Sequence, residues 1–116
     1  MNVLLVDDEA TIRRMMRVML QKRGFQVYDA SNGADALASA QQHPINVLVT
    51  DVVMQDMDGW TLARSMTQRQ PELPVLFVSG YPVDFEAERP RTSRCAFLPK
   101  PFDSGELVSA ITELVR

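Results

Sequence analysis

The sequence predicts an α/β fold, a parallel sheet of five strands doubly wound by helices. Two observations carry that class. Short β-branched runs alternate with segments whose apolar residues recur at helical spacing. The runs are also almost continuously apolar, as strands covered on both faces are, rather than alternating with polar residues. A third observation bears on function: four of the five runs close on acids, a hydroxyl or an amine, where loops of such sheets hold their ligands.

The candidate strands are residues 3–6, 26–29, 47–50, 75–78 and 96–98. Between the first two, Ile12, Met15, Met16, Met19 and Leu20 mark a helix, and Gly24 can take the left-handed position beyond its end. In "SNGADALASAQQ", Ser31 or Asn32 offers an N-cap for a second helix that ends near Pro44. Leu62, Ala63 and Met66 mark a third, closed before Pro71. Leu107, Ala110, Ile111 and Leu114 mark the last, entered through "FDSGE" with Asp103 or Ser104 as cap. The segment "YPVDFEAERPRTSRCAF" resists a full helix, because Pro90 would remove a donor and clash with the preceding turn at a cost of roughly 3 kcal/mol or more. A short helix over residues 83–89 is expected there, anchored by Phe85, with "PRTSR" as a mobile loop.

At 116 residues and 46% hydrophobic content, the chain fits one domain, residues 1–116. A net charge of −3 gives no basic field for nucleic acid or an anionic membrane, so direct contact with either is not expected. The single cysteine, Cys95, excludes an internal disulfide, and no stretch reads as a signal peptide or membrane span; a cytoplasmic setting is expected.

The strand ends converge on one place. Strand one runs into Asp7, Asp8 and Glu9, strand three into Asp51, strand four into Ser79 and strand five into Lys100. Crowded carboxylates repel one another, and a divalent cation relieves this. With only oxygen donors on offer, the chemistry suits Mg2+ or Mn2+ and not zinc; His43 and Cys95 are not needed. Lys100, one of two lysines beside ten arginines, lies between Pro99 and Pro101 in "FLPKPF". The second proline biases it to extended geometry and allows a cis bond, so its ammonium can reach an anion at the metal. Asp56 and Asp58 read as turn residues before Gly59, and Met54, Met57 and Trp60 as packing residues.

These motifs together resemble the receiver domain of two-component response regulators, over essentially the whole chain. "LLVDDE" resembles the family's acidic pair, "LVTDVVMQDMDG" its phosphoacceptor segment, "FVSGY" its switch hydroxyl and "FLPKPF" its lysine loop. The resemblance implies a CheY-like, flavodoxin-like sheet in the order 2-1-3-4-5. It implies that Asp51 takes a phosphoryl group from phosphohistidine. Asp8, Asp51 and the backbone carbonyl of Val53 would ligate Mg2+, with Asp7 acting through water. Lys100 would hold a phosphoryl oxygen, Ser79 would turn toward the new group, and Phe97 matches the aromatic switch position, although a core role suits it equally. Gln55 departs from the proline common in the family, which loosens the loop after Asp51. The partners implied are a histidine kinase or histidine phosphotransfer protein and a downstream protein.

If complete, a chain of this kind is expected to signal by docking rather than through an attached effector, and the shortened fourth helix leads to the expectation of a monomer. The wording is similar to receivers at the end of hybrid histidine kinases; a free single-domain regulator is the alternative. A haloacid-dehalogenase-type phosphatase would need a second acid at Val53, and a pure interaction module would not need Asp7, Asp8, Asp51, Ser79 and Lys100 together. Arg13, Arg14 and Arg17 cannot all face the core, so some are expected to border the site and help dock the donor.

Overall fold

The computed structural model describes residues 1–91 and 94–116. Five parallel strands, β1 (Asn2–Val6), β2 (Gln26–Ala30), β3 (Val47–Asp51), β4 (Val75–Ser79) and β5 (Cys95–Pro99), form one sheet in the order β2-β1-β3-β4-β5. The helices are α1 (Ala10–Lys22), α2 (Gly33–Gln42), α3 (Gly59–Arg69), α4 (Phe85–Glu88) and α5 (Ser104–Val115). The expected fold class and strand order are both observed.

Because strand side chains alternate between faces, the sheet has two cores. Leu4, Val6, Leu48 and Phe77 face α2 and α3 through Ala36, Trp60, Leu62 and Met66. Val3, Leu5, Val49 and Leu76 face α1 and α5 through Met16, Leu20, Leu107 and Ile111. Every residue of β3 and β4 is buried, which accounts for the apolar runs 47–49 and 75–78 that lead to their polar ends.

The helix ends follow local chemistry. Gly24 has φ +89 just past α1, a conformation costly for any residue with a side chain. Asn32, rather than Ser31, caps α2, accepting from the Asp35 N–H at 2.8 Å. Asp103 caps α5 in a reciprocal box with Glu106. Three expectations are corrected. Asp58 is not merely a turn residue: its carboxylate caps α3 through the Thr61 N–H. Met15 is not on the core face of α1 but half exposed, since Met16 and Leu20, flanked by Ile12 and Met19, make the contact with the core. The fourth helix is shorter still than residues 83–89, starting at Phe85 because Asp84 caps it there and stopping before Arg89, whose extended backbone is the one a following proline favours. The expected loop "PRTSR" includes Thr92 and Ser93, which lie outside the described residues.

Candidate functional site

Each acid is positioned by the end of a central strand. Asp7 follows β1, and its own N–H donates to the Ala30 carbonyl at 3.2 Å, extending the β1–β2 ladder. Asp51 is the last residue of β3, held by its register with Val78 of β4 and by the Val52 N–H donating to the Val78 carbonyl at 3.0 Å. Lys100 arrives from β5, its N–H on the Ser79 carbonyl at 2.9 Å, and its bond to Pro101 is cis. The loops after β1 and β3 leave neighbouring strand ends, and the loop after β5 reaches them across the end of β4, where Lys100 is held by the Ser79 carbonyl.

The side chains converge as the sequence suggests. Asp7, Asp8 and Asp51 each offer an oxygen, all within 4.8 Å of one another. The Lys100 ammonium donates to Asp7 Oδ2 at 3.1 Å and to Asp51 Oδ2 at 3.2 Å. Asp7 is fully buried, Asp51 nearly so, and Asp8 is exposed to a cavity of about 610 Å3 that Asp51, Val53, Gly80 and Lys100 also line. Burial raises the Asp51 pKa, the nearby Lys100 cation opposes that rise, and the charge of Asp7 adds to it. For Lys100, burial alone would favour loss of its proton, but Asp7 and Asp51 outweigh this and hold the pKa above its usual value. The donor set is all oxygen, closely spaced and open on one side, which fits a hard divalent cation that keeps several waters.

Ser79 is buried beside this cluster, with Oγ accepting from the Tyr81 N–H at 3.0 Å. Phe97 lies on the same sheet face as Ser79, paired in register with Phe77, and its ring is 6.3 Å from Phe85. It packs against the core beside Phe85 and does not line the cavity at Asp51. Met54 and Trp60 are buried in the core, and Met57 is packed against it, as expected.

Of the α1 arginines, some of which were expected to border the site, Arg13 does so and Arg17 does not. Both pair with Asp29 of β2. Arg13 also donates to the backbone carbonyl of Asp7 at 2.7 Å, fixing the acidic loop from behind. Arg14 stays exposed on the outer face of α1.

Glu9 and Gln55, which the sequence places beside Asp8 and after Asp51, also line the cavity. Sequence reasoning missed two contributions. Arg13 holds the Asp7 backbone, a role no spacing rule announces. Gly59 is required by close approach: a Cβ there would stand 2.3 Å from the Asp51 carbonyl oxygen. The Asp-Gly pair was legible as a turn, but not the contact behind it.

Over residues 3–112 the sequence matches the family described as the response regulator receiver domain. It is 38% identical to the sensor kinase CckA of Brucella abortus (strain 2308) over 98% of this chain, which spans 12% of that kinase. It is 34% identical to the response regulator receiver protein CpdR of the same strain, over 97% of this chain and 95% of that protein. Among solved structures, the receiver domain of the hybrid histidine kinase CckA has a TM-score of 0.84 at 30% identity, covering 100% of both chains. A response regulator receiver protein from Sinorhizobium medicae WSM419 has a TM-score of 0.89 at 32% identity, covering 98% of this chain and 93% of that one.

Proposed function

The chain belongs to the response regulator receiver domain family, and on that premise we propose that Asp51 accepts a phosphoryl group from a phosphohistidine, aided by Mg2+ or Mn2+. The observation that carries the reading is the meeting of Asp51 with two further carboxylates and one ammonium at a buried strand end. Asp8, Asp51 and the Val53 carbonyl would hold the cation, with Asp7 contributing through water. The bound ion would supply positive charge to the phosphoryl oxygens.

The residues of the chain account for the rest. An oxygen of ionised Asp51 attacks phosphorus as the bond from phosphorus to the imidazole nitrogen breaks; the electron pair leaves with the imidazole, and an acyl phosphate forms. Asp51 must be ionised to do this, and Lys100 opposes the pKa rise that burial imposes. After transfer the ammonium exchanges a carboxylate oxygen for a phosphoryl oxygen. Ser79 would release the Tyr81 N–H and turn its hydroxyl to the new group, which frees the loop between β4 and α4 to move. The domain acts as a signalling switch rather than a turnover enzyme, docks a histidine kinase or phosphotransfer protein, and stays monomeric, because the short α4 offers little face for a symmetric dimer.

Two relatives bear on the context. Similarity to CckA supports a receiver within a hybrid kinase, and the near full-length match to CpdR supports a free-standing regulator as the second reading. Incubation with acetyl phosphate and Mg2+ should attach one phosphoryl group per chain, and Asp51→Asn or excess chelator should abolish it. Equal labelling in either case would refute the proposal.

A further inference from the structure

We infer that the cleft between α3 and the residues after α4 is a docking site for an acidic peptide segment of a partner protein. Arg64 and Thr67 of α3 line one side, Arg89, Pro90 and Arg91 the other, and Pro71 closes one end of a cavity of about 480 Å3. None of its lining residues is an acid, in a chain whose net charge is −3, so the sign of the surface reverses locally. Guanidinium groups present fixed forks of donors that match carboxylates in pairs.

Arg89 makes the strongest case. Its Nε is buried and, among the described residues, is the one buried side-chain nitrogen or oxygen without a hydrogen-bond partner. Such a donor is uncommon, because burial without an acceptor is unfavourable. The guanidinium lies over the Phe85 ring, 5.1 Å from its centroid, and Nη1 is 3.6 Å from Glu86 Oε1. Arg91 leans on the same carboxylate at 3.8 Å and donates to the Glu86 backbone carbonyl, which orients it without neutralising it. The Glu86 side chain is 73% exposed and both separations exceed a hydrogen bond, so it is a weak counterion that an incoming carboxylate can replace.

The two prolines give the cleft an apolar, stiff wall. Its complement is therefore negative charge carried along an organic chain, not a lone small anion. The cleft shares no residue with the cavity at Asp51, so this inference stands apart from the phosphoryl reading.

The test uses the full chain with a blocked decapeptide of alternating Glu and Ala, and inorganic phosphate at matched charge. Titration followed by NMR should shift the Arg89 Nε–H signal with peptide, and calorimetry should show binding that weakens with salt. Arg64→Gln combined with Arg91→Gln should weaken peptide binding about tenfold or more with an unchanged circular dichroism spectrum. Glu86→Gln, an exposed change that leaves the fold intact, should tighten it by removing the internal competitor. An unmoved Arg89 signal at millimolar peptide, undiminished affinity in the double variant, or unchanged affinity in Glu86→Gln would overturn the inference. Phosphate binding as tight as the peptide would assign the cleft to small anions and overturn the stated occupant.

Discussion

The Lys100 ammonium lies 3.2 Å from the Asp51 carboxylate, bridging the ends of two strands that do not touch. It also pairs with the Asp7 carboxylate, at 3.1 Å. Removing it leaves buried acids without compensation. Lys100→Ala should therefore destabilise the metal-free domain by about 1–3 kcal/mol. Mg2+ should recover more stability in the variant than in the parent, because the ion meets the acids and not the lysine. Melting curves with and without Mg2+ check this; loss of metal binding in the variant would count against the assignment.

Asp51 governs the pH response. Its pKa is raised in the fold above the ordinary 3.8, through burial first, so the folded state holds its proton more tightly than the unfolded chain does. Its ionisation consequently costs stability once pH exceeds the raised value, and costs nothing below the ordinary one. Asp51→Asn should raise the melting temperature at neutral pH in the absence of divalent cation, with the gain shrinking to nothing as pH falls into the carboxylate range. A gain that grows on acidification would contradict the sign.

Val53 stands half exposed at the cavity, two residues beyond Asp51, and carries no group able to orient a water. The acyl phosphate should accordingly be long-lived, and Val53→Asn should shorten its lifetime severalfold. Following decay of labelled protein decides it: an unchanged rate would place control elsewhere.

Gly59 packs against the backbone of the phosphoacceptor segment. The added methyl of Gly59→Ala would meet the Asp51 carbonyl oxygen at 2.3 Å and Val52 Cα at 3.1 Å, and main-chain atoms cannot rotate aside. The Gly59 N–H also donates to the Val52 carbonyl at 2.8 Å, so relief in one direction breaks that bond. A loss of about 1–3 kcal/mol is expected, with slower labelling at Asp51. Denaturant titration and the labelling rate measure the two effects; a variant as stable as the parent would show that the loop yields freely.

Much of this architecture was legible because strands buried on both faces cannot conceal themselves: "VLLV" and "VLFV" have no polar position, and "VLVT" has only its last, a β-branched threonine. The acids were legible for the complementary reason, that a charge directly after such a run needs a purpose. What escaped detection depends on pairing across sequence distance. Asp29 lies on β2, and nothing local says that it collects Arg13 and Arg17 and so removes Arg17 from the cavity rim. Met15 fits the helical period by spacing, yet the face of α1 that meets the core is the one carrying Ile12, Met16, Met19 and Leu20, and Met15 falls outside it. The closeness of Gly59 to Asp51 is likewise a property of the returning chain, not of either residue.

The one tryptophan of the chain, Trp60, follows directly on Gly59, is 7% exposed, and lies 4.3 Å from Phe77 and 6.4 Å from Phe85 between ring centroids. Its indole is therefore an optical probe already built into the molecule. Emission excited at the red edge comes from this single site, shielded from aqueous quenchers, and next to the backbone turn that any event at Asp51 must load. Cation binding, phosphoryl attachment and movement of the α4 ring cluster can each be followed as intensity or lifetime in unlabelled protein, without a dye that would disturb so small a domain.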